Sequence, residues 1–94
     1  MSQIINDKQG SRFVIDIEGN EAYVLYTEDK DTLDLYSTYT PTQLRGQGLA
    51  EKVVLAAFEY AKEKNLKVIP SCWYVRKFLE KYVDYQNLVK QELL

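Results

Sequence analysis

The sequence predicts an α+β fold, a mixed sheet with two main helices, and three observations support it. Apolar and polar residues alternate through residues 12–40, as they do in half-buried strands joined by tight turns. Apolar residues then recur at helical spacing from Leu49 towards a cap at Asn65. A short apolar segment at 67–71 and a second helical period at 73–82 follow. The predicted order is therefore strand, strand, strand, helix, strand, helix.

The first two strands are predicted to form a hairpin. Three apolar residues at alternate positions within 13–17 share one face of the first strand. Gly19-Asn20 is the predicted two-residue turn, since both residues tolerate a positive φ. The return strand is expected over 22–27. The preceding segment, Met1 to Gly10, is polar, and we expect it to be partly frayed.

The third strand is predicted over Thr32 to Thr40, after a polar turn. Leu33, Leu35 and Tyr39 alternate with Asp34, Tyr36 and Thr38, so they are expected to share the buried face. Pro41 ends the strand because proline cannot donate a hydrogen bond to a ladder.

The remaining elements follow from helical and β-branched patterns. The fourth strand is predicted at 67–71, and a helix connects it to the third strand, so the two are expected to be parallel with a right-handed crossover. The last residues, 85–94, are expected to add one more turn. The two helices should bury one apolar face each, formed by Leu49, Val53, Ala57 and Ala61 in the first and by Val75, Phe78, Leu79 and Tyr82 in the second.

Size and composition limit the classes of function. Ninety-four residues predict one domain spanning residues 1–94. A net charge of −2 argues against a nucleic-acid partner. The absence of histidine and the single cysteine argue against a metal site. A lone cysteine and no long apolar run predict a cytoplasmic protein that does not bind a membrane.

The strongest functional signal is the loop Gln43-Leu44-Arg45-Gly46-Gln47-Gly48-Leu49-Ala50, between a predicted strand and a predicted helix. Two glycines there let backbone N–H groups point outward, and the helix macrodipole favours an anion beside them. A dinucleotide fingerprint does not fit, because Glu51 stands where the helix needs a small residue. A P-loop does not fit either, because the loop lacks Gly-Lys-Ser/Thr. We therefore expect a different phosphate-bearing ligand.

The spacing of Gln43, Gly46 and Gly48 resembles the pyrophosphate loop of the GCN5-related N-acetyltransferases (GNATs). With Thr38–Pro41, Ala61–Glu63 and Val68–Val75, the chain resembles the small single-domain, YjdJ-type members of that family over roughly residues 10–90. The resemblance implies a truncated GNAT fold and acetyl-CoA as the acetyl donor, with an unidentified primary amine as the acceptor. Ser37 departs from the pattern, since many relatives have histidine there.

The resemblance also implies roles for particular residues. The backbone of the Thr38–Thr40 segment would pair with the pantetheine arm and polarise the thioester carbonyl. Tyr74 would protonate the departing thiolate, although it could equally be a tyrosine packed on the sheet. Lys77 or Arg76 could contact coenzyme phosphates or simply face solvent. The implied coenzyme-binding residues are Thr38, Tyr39, Thr40, Leu44, Arg45, Gly46, Gln47, Gly48, Leu49 and Ala50.

Cys72 is the second candidate catalytic residue. It follows the predicted parallel strand, where open α/β sheets bind ligands, and it precedes a helix N-terminus, which favours a thiolate. It could accept the acetyl group or lie beside the coenzyme thiol, while a small buried apolar role is the plainer alternative. No convincing general base is evident, since nothing distinguishes Asp34 or Tyr36. A non-catalytic coenzyme A-binding or sensing module therefore stays open as an alternative to an enzyme.

The chain is also short for the family that it resembles. It lacks the helical segment that usually follows the first strand and encloses the acceptor site. An open acceptor site would suit a protein or peptide amine, and otherwise a partner would complete the site.

Overall fold

The computed structural model describes residues 3–91 of the chain. A short 3₁₀ helix, Thr42–Leu44, precedes the first α-helix, and a second one, Val83–Leu88, follows the last. The main elements are β1 (Ile4–Asp7), β2 (Arg12–Ile17), β3 (Asn20–Glu28), β4 (Thr32–Tyr39), α1 (Leu49–Lys64), β5 (Lys67–Pro70) and α2 (Trp73–Lys81).

The five strands form one mixed sheet in the order β1-β2-β3-β4-β5. The first four are antiparallel neighbours, and β5 pairs in parallel with β4. The predicted α+β architecture is confirmed, and so is the parallel pairing across a helical connection. The crossover helix α1 ends at Lys64, and its C-cap Asn65 has a φ of 59°, the left-handed conformation typical of that position.

One hydrophobic core joins the sheet to both helices. It contains the inward residues of β2 to β5 and the apolar faces of α1 and α2. Phe58 of α1 stacks on Phe78 of α2, with ring centroids 5.3 Å apart. Val14 is buried on the opposite face of the sheet and lies outside this cluster. The helices therefore cover one face of the sheet.

β1 corrects the prediction of a frayed segment at Met1 to Gly10. Its four residues pair antiparallel with β2 as the edge strand. Ile4 packs against the core, and the Tyr26 hydroxyl donates a 2.6 Å hydrogen bond to Asn6 Oδ1. The β1 segment is too short and too polar for its sequence to show the alternation of a strand. Pairing with β2 supplies the stability that its local propensity lacks. Residues 1 and 2 lie outside the described part.

The first hairpin turn lies one residue earlier than predicted. Asn20 already pairs with Ile17, so the two turn residues are Glu18 and Gly19, with φ of 53° and 87°. The Gly19 N–H donates to Asp16 Oδ1 at 2.8 Å, which stabilises the turn. Two consecutive residues of positive φ match the twist of the flanking strands.

β4 contains a bulge that changes which side chains face the core. Tyr26 pairs with Leu35 while Leu25 pairs with Ser37, so Tyr36 is an extra residue without a partner on β3. The alternation reverses after the bulge. Thr38 pairs with buried Val24, and Tyr39 lies on the opposite face, 47% exposed. The prediction that Tyr39 shares the buried face of Leu33 and Leu35 is therefore wrong.

The chain after α2 forms a 3₁₀ turn and then rejoins the sheet. Val89 makes an isolated parallel bridge with Val68 of β5. The predicted turn in 85–94 is present up to Leu88, and residues 92–94 lie outside the described part. Within residues 3–91, no helix has both the length and the apolar character needed to cross a bilayer. A cytoplasmic location stays a prediction.

Candidate functional site

The glycine loop before α1 is held in a conformation that glycine adopts readily. Gly46 and Gly48 have φ of 86° and 74°, which L-residues rarely adopt. A Cβ added to either would meet no protein atom within 4 Å, so both α-carbons border open space. Gly48 is also the N-cap of α1, and no side chain caps that end of the helix. The loop and the helix end together suit a phosphate group.

A cleft of about 200 Å³ opens at this loop. Two side chains on either side of Leu44 hold the loop: Arg45 Nε donates to the Thr40 carbonyl at 3.2 Å, and Gln43 Nε2 donates to Asn20 Oδ1 at 2.9 Å. Gln43 thus fixes the loop to the β2–β3 hairpin. The residues lining the cleft are Thr40, Leu44, Arg45, Gly46, Gly48, Leu49, Ala50 and Tyr74.

Beside the loop, β4 and β5 separate at the bulge. Their pairing ends at Leu35 and Pro70, and the Cys72 N–H then donates to the Leu35 carbonyl at 3.0 Å. Beyond Tyr36, β4 pairs with β3 on one side and with no strand of the described chain on the other. This open edge presents backbone groups that could pair with an extended ligand.

Cys72 lies at the inner end of this gap, at the N-cap of α2. Its Sγ is 3.7 Å from Oγ1 of Thr38, and the residue is buried. Because the bulge turns Thr38 towards the helices, the two side chains meet there. Neither residue lines the loop cleft.

Tyr74, the second residue of α2, lines the loop cleft. Partial burial, together with the nearby Glu51 carboxylate, raises the pKa of its phenol. Among the described residues its hydroxyl has no hydrogen-bond partner. A tyrosine that is protonated at neutral pH and has a free O–H can donate a proton to a bound ligand.

Eight of the twelve predicted site residues line the loop cleft. They are Tyr74 and seven of the predicted coenzyme-binding residues. Gln47 is exposed and lies outside the cleft lining. Tyr39 packs against Tyr23 on the other face of the sheet, with tilted rings whose centroids are 5.4 Å apart. Thr38 and Cys72 meet each other in the gap instead. Only the backbone of Tyr39 is available at the open edge of β4.

Arg76 and Asp34, two other polar residues considered from the sequence, are engaged elsewhere. Arg76 Nη1 donates to the carbonyls of Pro70 and Ser71, at 2.8 and 2.9 Å, so its guanidinium covers the end of β5. Ser71 Oγ donates to Asp34 Oδ1 at 2.6 Å. Within residues 3–91, no three metal-ligating side chains come together.

A second cleft, of about 370 Å³, lies between the start of α1 and the outer face of α2. Lys81 Nζ and the Tyr82 hydroxyl both donate to Glu51, at 3.0 and 2.8 Å. Both hydrogen bonds lower the pKa of Glu51, and the one from Tyr82 has the larger effect. Sequence reasoning missed Glu51 and Lys81 as a pair, since 30 residues separate them. The lining residues are Glu51, Tyr74, Lys77, Phe78, Glu80 and Lys81.

Comparisons with known proteins show the family of the chain. The sequence model of the family described as GCN5-related N-acetyl-transferase matches residues 12–88. Protein NATD1 of Danio rerio is 33% identical over 89 residues, which are 92% of this chain and 81% of that protein. Protein NATD1 of Homo sapiens is 30% identical over 81 residues, which are 83% of this chain and 72% of that protein.

One solved structure is similar along nearly the whole chain. It is the NMR solution structure of a GCN5-like N-acetyltransferase candidate from Staphylococcus aureus, 33% identical in sequence with a TM-score of 0.73. The match covers 94% of this chain and 87% of that one.

Proposed function

The chain belongs to the family of GCN5-related N-acetyltransferases, and we propose that it binds acetyl-CoA and transfers the acetyl group to a primary amine. Binding of acetyl-CoA and acetyl transfer are general to that family. One observation supports the proposal most directly: the glycine loop at the N-terminus of α1 adjoins the open edge of β4. A diphosphate bound at the loop and an extended arm along the strand would together span this region.

The proposed binding mode uses backbone groups more than side chains. The diphosphate would accept hydrogen bonds from backbone N–H groups of the Gly46–Ala50 segment, where no side chain competes at the helix N-terminus. The pantetheine arm would pair with the β4 edge at Thr38–Thr40, as an added strand does. The thioester would then lie in the gap between β4 and β5, above Cys72.

The proposed chemistry is direct attack by a neutral amine nitrogen on the thioester carbonyl carbon. The carbonyl oxygen becomes an oxyanion, which a backbone N–H of the Thr38–Thr40 segment would stabilise. The C–S bond then breaks as the thiolate takes the proton of the Tyr74 hydroxyl. The proton lost by the amine returns to the tyrosinate through water, so the products are an acetylated amine and coenzyme A.

Cys72 provides a second route. Its sulfur would attack the thioester carbonyl carbon, the C–S bond to coenzyme A would break, and coenzyme A would leave with the cysteine proton. The amine would then attack the acetyl-cysteine, and its proton would return to the Cys72 sulfur. Intact-mass measurement after incubation with acetyl-CoA separates the two routes. An acetyl adduct that is present on the wild-type chain and absent from Cys72→Ser assigns the covalent route, whereas an adduct that survives the substitution excludes Cys72 as its sole acceptor.

A non-catalytic coenzyme A-binding module is the alternative function. It is favoured by the composition of the loop cleft, whose described lining contains no carboxylate or imidazole that could serve as a general base. Release of free thiol from acetyl-CoA, followed across a panel of small amines and lysine peptides, decides between the two. Release that depends on an amine supports the enzyme, and tight binding without release supports the module.

Acetyl-CoA binding is tested with two matched glycine variants. Gly46 and Gly19 have φ of 86° and 87°, and a Cβ at either meets no protein atom within 4 Å. Alanine at either position should therefore cost a similar stability, about 1–2 kcal/mol. Only Gly46→Ala places a methyl group at the proposed diphosphate site.

We expect Gly46→Ala to weaken acetyl-CoA binding by about tenfold or more in calorimetry, the loss of about one charge-assisted hydrogen bond. Gly19→Ala should bind as the wild type does. Equal affinity of all three proteins would show that the ligand does not contact the loop. No heat with the wild-type chain at millimolar acetyl-CoA would overturn the proposed function.

A further inference from the structure

We propose that Lys77 and Lys81 of α2 form a subsite for the 3′-phosphate of coenzyme A, next to the glycine loop. The inference rests on the proposed function, since it concerns the far end of the same ligand. Coenzyme A carries three phosphates: two form the diphosphate, and the third is on the 3′ oxygen of the ribose. A site for the diphosphate therefore raises the question of which groups receive the third.

The shape of the surface indicates a path for the nucleotide. Tyr74 lines both the loop cleft of about 200 Å³ and the second cleft of about 370 Å³. A ligand that passes the loop can continue past this tyrosine into the space between α1 and α2. Lys77 and Lys81 line that space. Since they are four residues apart, they project from the same helix face at a rise of about 6 Å, close enough for one phosphate to contact both.

The two lysines are available in different ways. Lys77 is exposed and has no hydrogen-bond or ion-pair partner among the described residues. Lys81 forms an ion pair with Glu51 at 3.0 Å, with 67% of the Lys81 side chain exposed. Arg76, the other cation of this turn, is held by the carbonyls at the end of β5.

The ion pair between Lys81 and Glu51 is suited to an exchange of partners. Exposed ion pairs contribute little to stability, about 0–1 kcal/mol, whereas a dianionic phosphate offers a stronger charge-assisted contact. Glu51 would keep a donor after the exchange, because the Tyr82 hydroxyl also donates to it, at 2.8 Å. Lys81 can therefore turn from the carboxylate to a phosphate without leaving Glu51 unpaired.

The carboxylates of this cleft make the proposal specific. Glu51 and Glu80 line it together with the two lysines, so the local charges balance. An anion that binds only to this surface gains little binding free energy, because the carboxylates offset the lysines. A phosphate that is already held beside it by the diphosphate loop gains the two ammonium groups at a high effective concentration.

The experiment compares acetyl-CoA with acetyl-3′-dephospho-CoA, which lacks only the third phosphate. We expect calorimetry to show that the wild-type chain binds acetyl-CoA about tenfold more tightly, the effect of about one hydrogen bond between charged groups. Lys77→Ala and Lys81→Ala should weaken acetyl-CoA binding and leave the dephospho ligand almost unchanged. Lys30→Ala, the same change in the exposed β3–β4 turn, should leave both affinities unchanged.

A gain of affinity provides a check that misfolding cannot imitate. Glu51→Gln removes the charge that competes for Lys81 but keeps an oxygen for the Tyr82 hydroxyl, so acetyl-CoA should bind more tightly while the dephospho ligand does not. Equal wild-type affinity for the two ligands would overturn the subsite alone. Lysine variants that weaken both ligands equally would overturn it as well. Failure of the wild-type chain to bind either ligand would overturn the proposed function and the subsite with it.

Discussion

Tyr74 and Cys72 lie two residues apart, yet their surroundings give them different chemistry. Cys72 is buried at the N-cap of α2 against Thr38, whereas Tyr74 lines the cleft with its hydroxyl free among the described residues. A group that protonates the leaving thiolate must reach the ligand and hold its proton at neutral pH. Tyr74 meets both requirements, because it lines the cleft and because a phenol keeps its proton at neutral pH. Burial raises the pKa of this phenol further.

We therefore predict that Tyr74→Phe lowers the rate of acetyl transfer by about a hundredfold while acetyl-CoA affinity changes little. The ring is kept, so packing and binding are preserved, and only the proton is lost. Steady-state kinetics checks this through kcat and KM measured separately. A fall in affinity with kcat unchanged would indicate that Tyr74 only packs against the ligand.

The glycines of the loop could be predicted from the sequence, whereas the partners of Glu51 could not. The positive φ values of Gly46 and Gly48 belong to a local turn, which residues close in the chain determine. The contacts of Glu51 with Lys81 and Tyr82 depend on how α1 packs beside α2. Sequence spacing contains no signal for such a contact except the helical period that buries the opposite faces.

At the scale of the elements, α1 is fixed along its outer side by two tyrosine–carboxylate hydrogen bonds. The Tyr60 hydroxyl donates to Glu28 at the end of β3, and the Tyr85 hydroxyl donates to Glu59. These hydrogen bonds raise the pKa of Tyr60 and that of Tyr85, each to about 12. The protonated phenols thus link the helix to the end of β3, the central strand, on one side and to the last 3₁₀ turn on the other.

The raised pKa values set the direction of an alkaline transition. The contribution of these phenols to stability is complete below their unfolded pKa of about 10, and it is lost as the pH rises towards about 12. We expect two of the eight tyrosines to ionise later than the rest in an absorbance titration. Tyr60→Phe should remove one late-ionising group and reduce the loss of stability over that pH range. A titration in which all phenols ionise together near pH 10 would contradict the prediction.

Sequence patterns missed β1, a strand that forms through tertiary pairing. The main helices and the parallel strand have clear apolar periods, and they were predicted within one or two residues of their observed ends. β1 has only Ile4 and Ile5 as apolar residues, so pairing with β2 decides its structure. The bulge at Tyr36 could not be predicted from the sequence of β4 alone, because a residue is extra only relative to the partner strand.

At the scale of the molecule, the described residues share one hydrophobic core, and we propose that residues 1–94 form a single domain. Phe58 is fully buried where α1, α2 and the last turn meet, within 5.5 Å of the rings of Phe78 and Tyr85. Residues of α2 and of the last 3₁₀ turn thus pack around a side chain of α1 that belongs to the core shared with the sheet. Such a core should unfold cooperatively.

We predict that Phe58→Ala lowers the free energy of unfolding by about 3–5 kcal/mol, the usual cost of removing a buried aromatic ring. Urea denaturation, followed by tryptophan fluorescence and by far-UV circular dichroism, should give a single coincident transition for the wild type. Val83→Ala, at a position 60% exposed, is the control, and it should change stability by at most about 0.5 kcal/mol. Two separate transitions in the wild type would contradict a single domain.

The bulge at Tyr36 also determines what a change of chain length would do at this point. Deleting Tyr36 would remove a residue that has no partner on β3, so the observed pairs between β3 and β4 would be kept and the ladder would become regular. Thr38 would still face the core opposite Val24, beside Cys72, and Tyr39 would still lie on the outer face. The strand would lose only the bend that a bulge adds, and with it the geometry that opens the gap between β4 and β5. A one-residue deletion here should therefore leave the fold stable and narrow the proposed thioester site, whereas the exposed β3–β4 turn should tolerate changes in length without that effect.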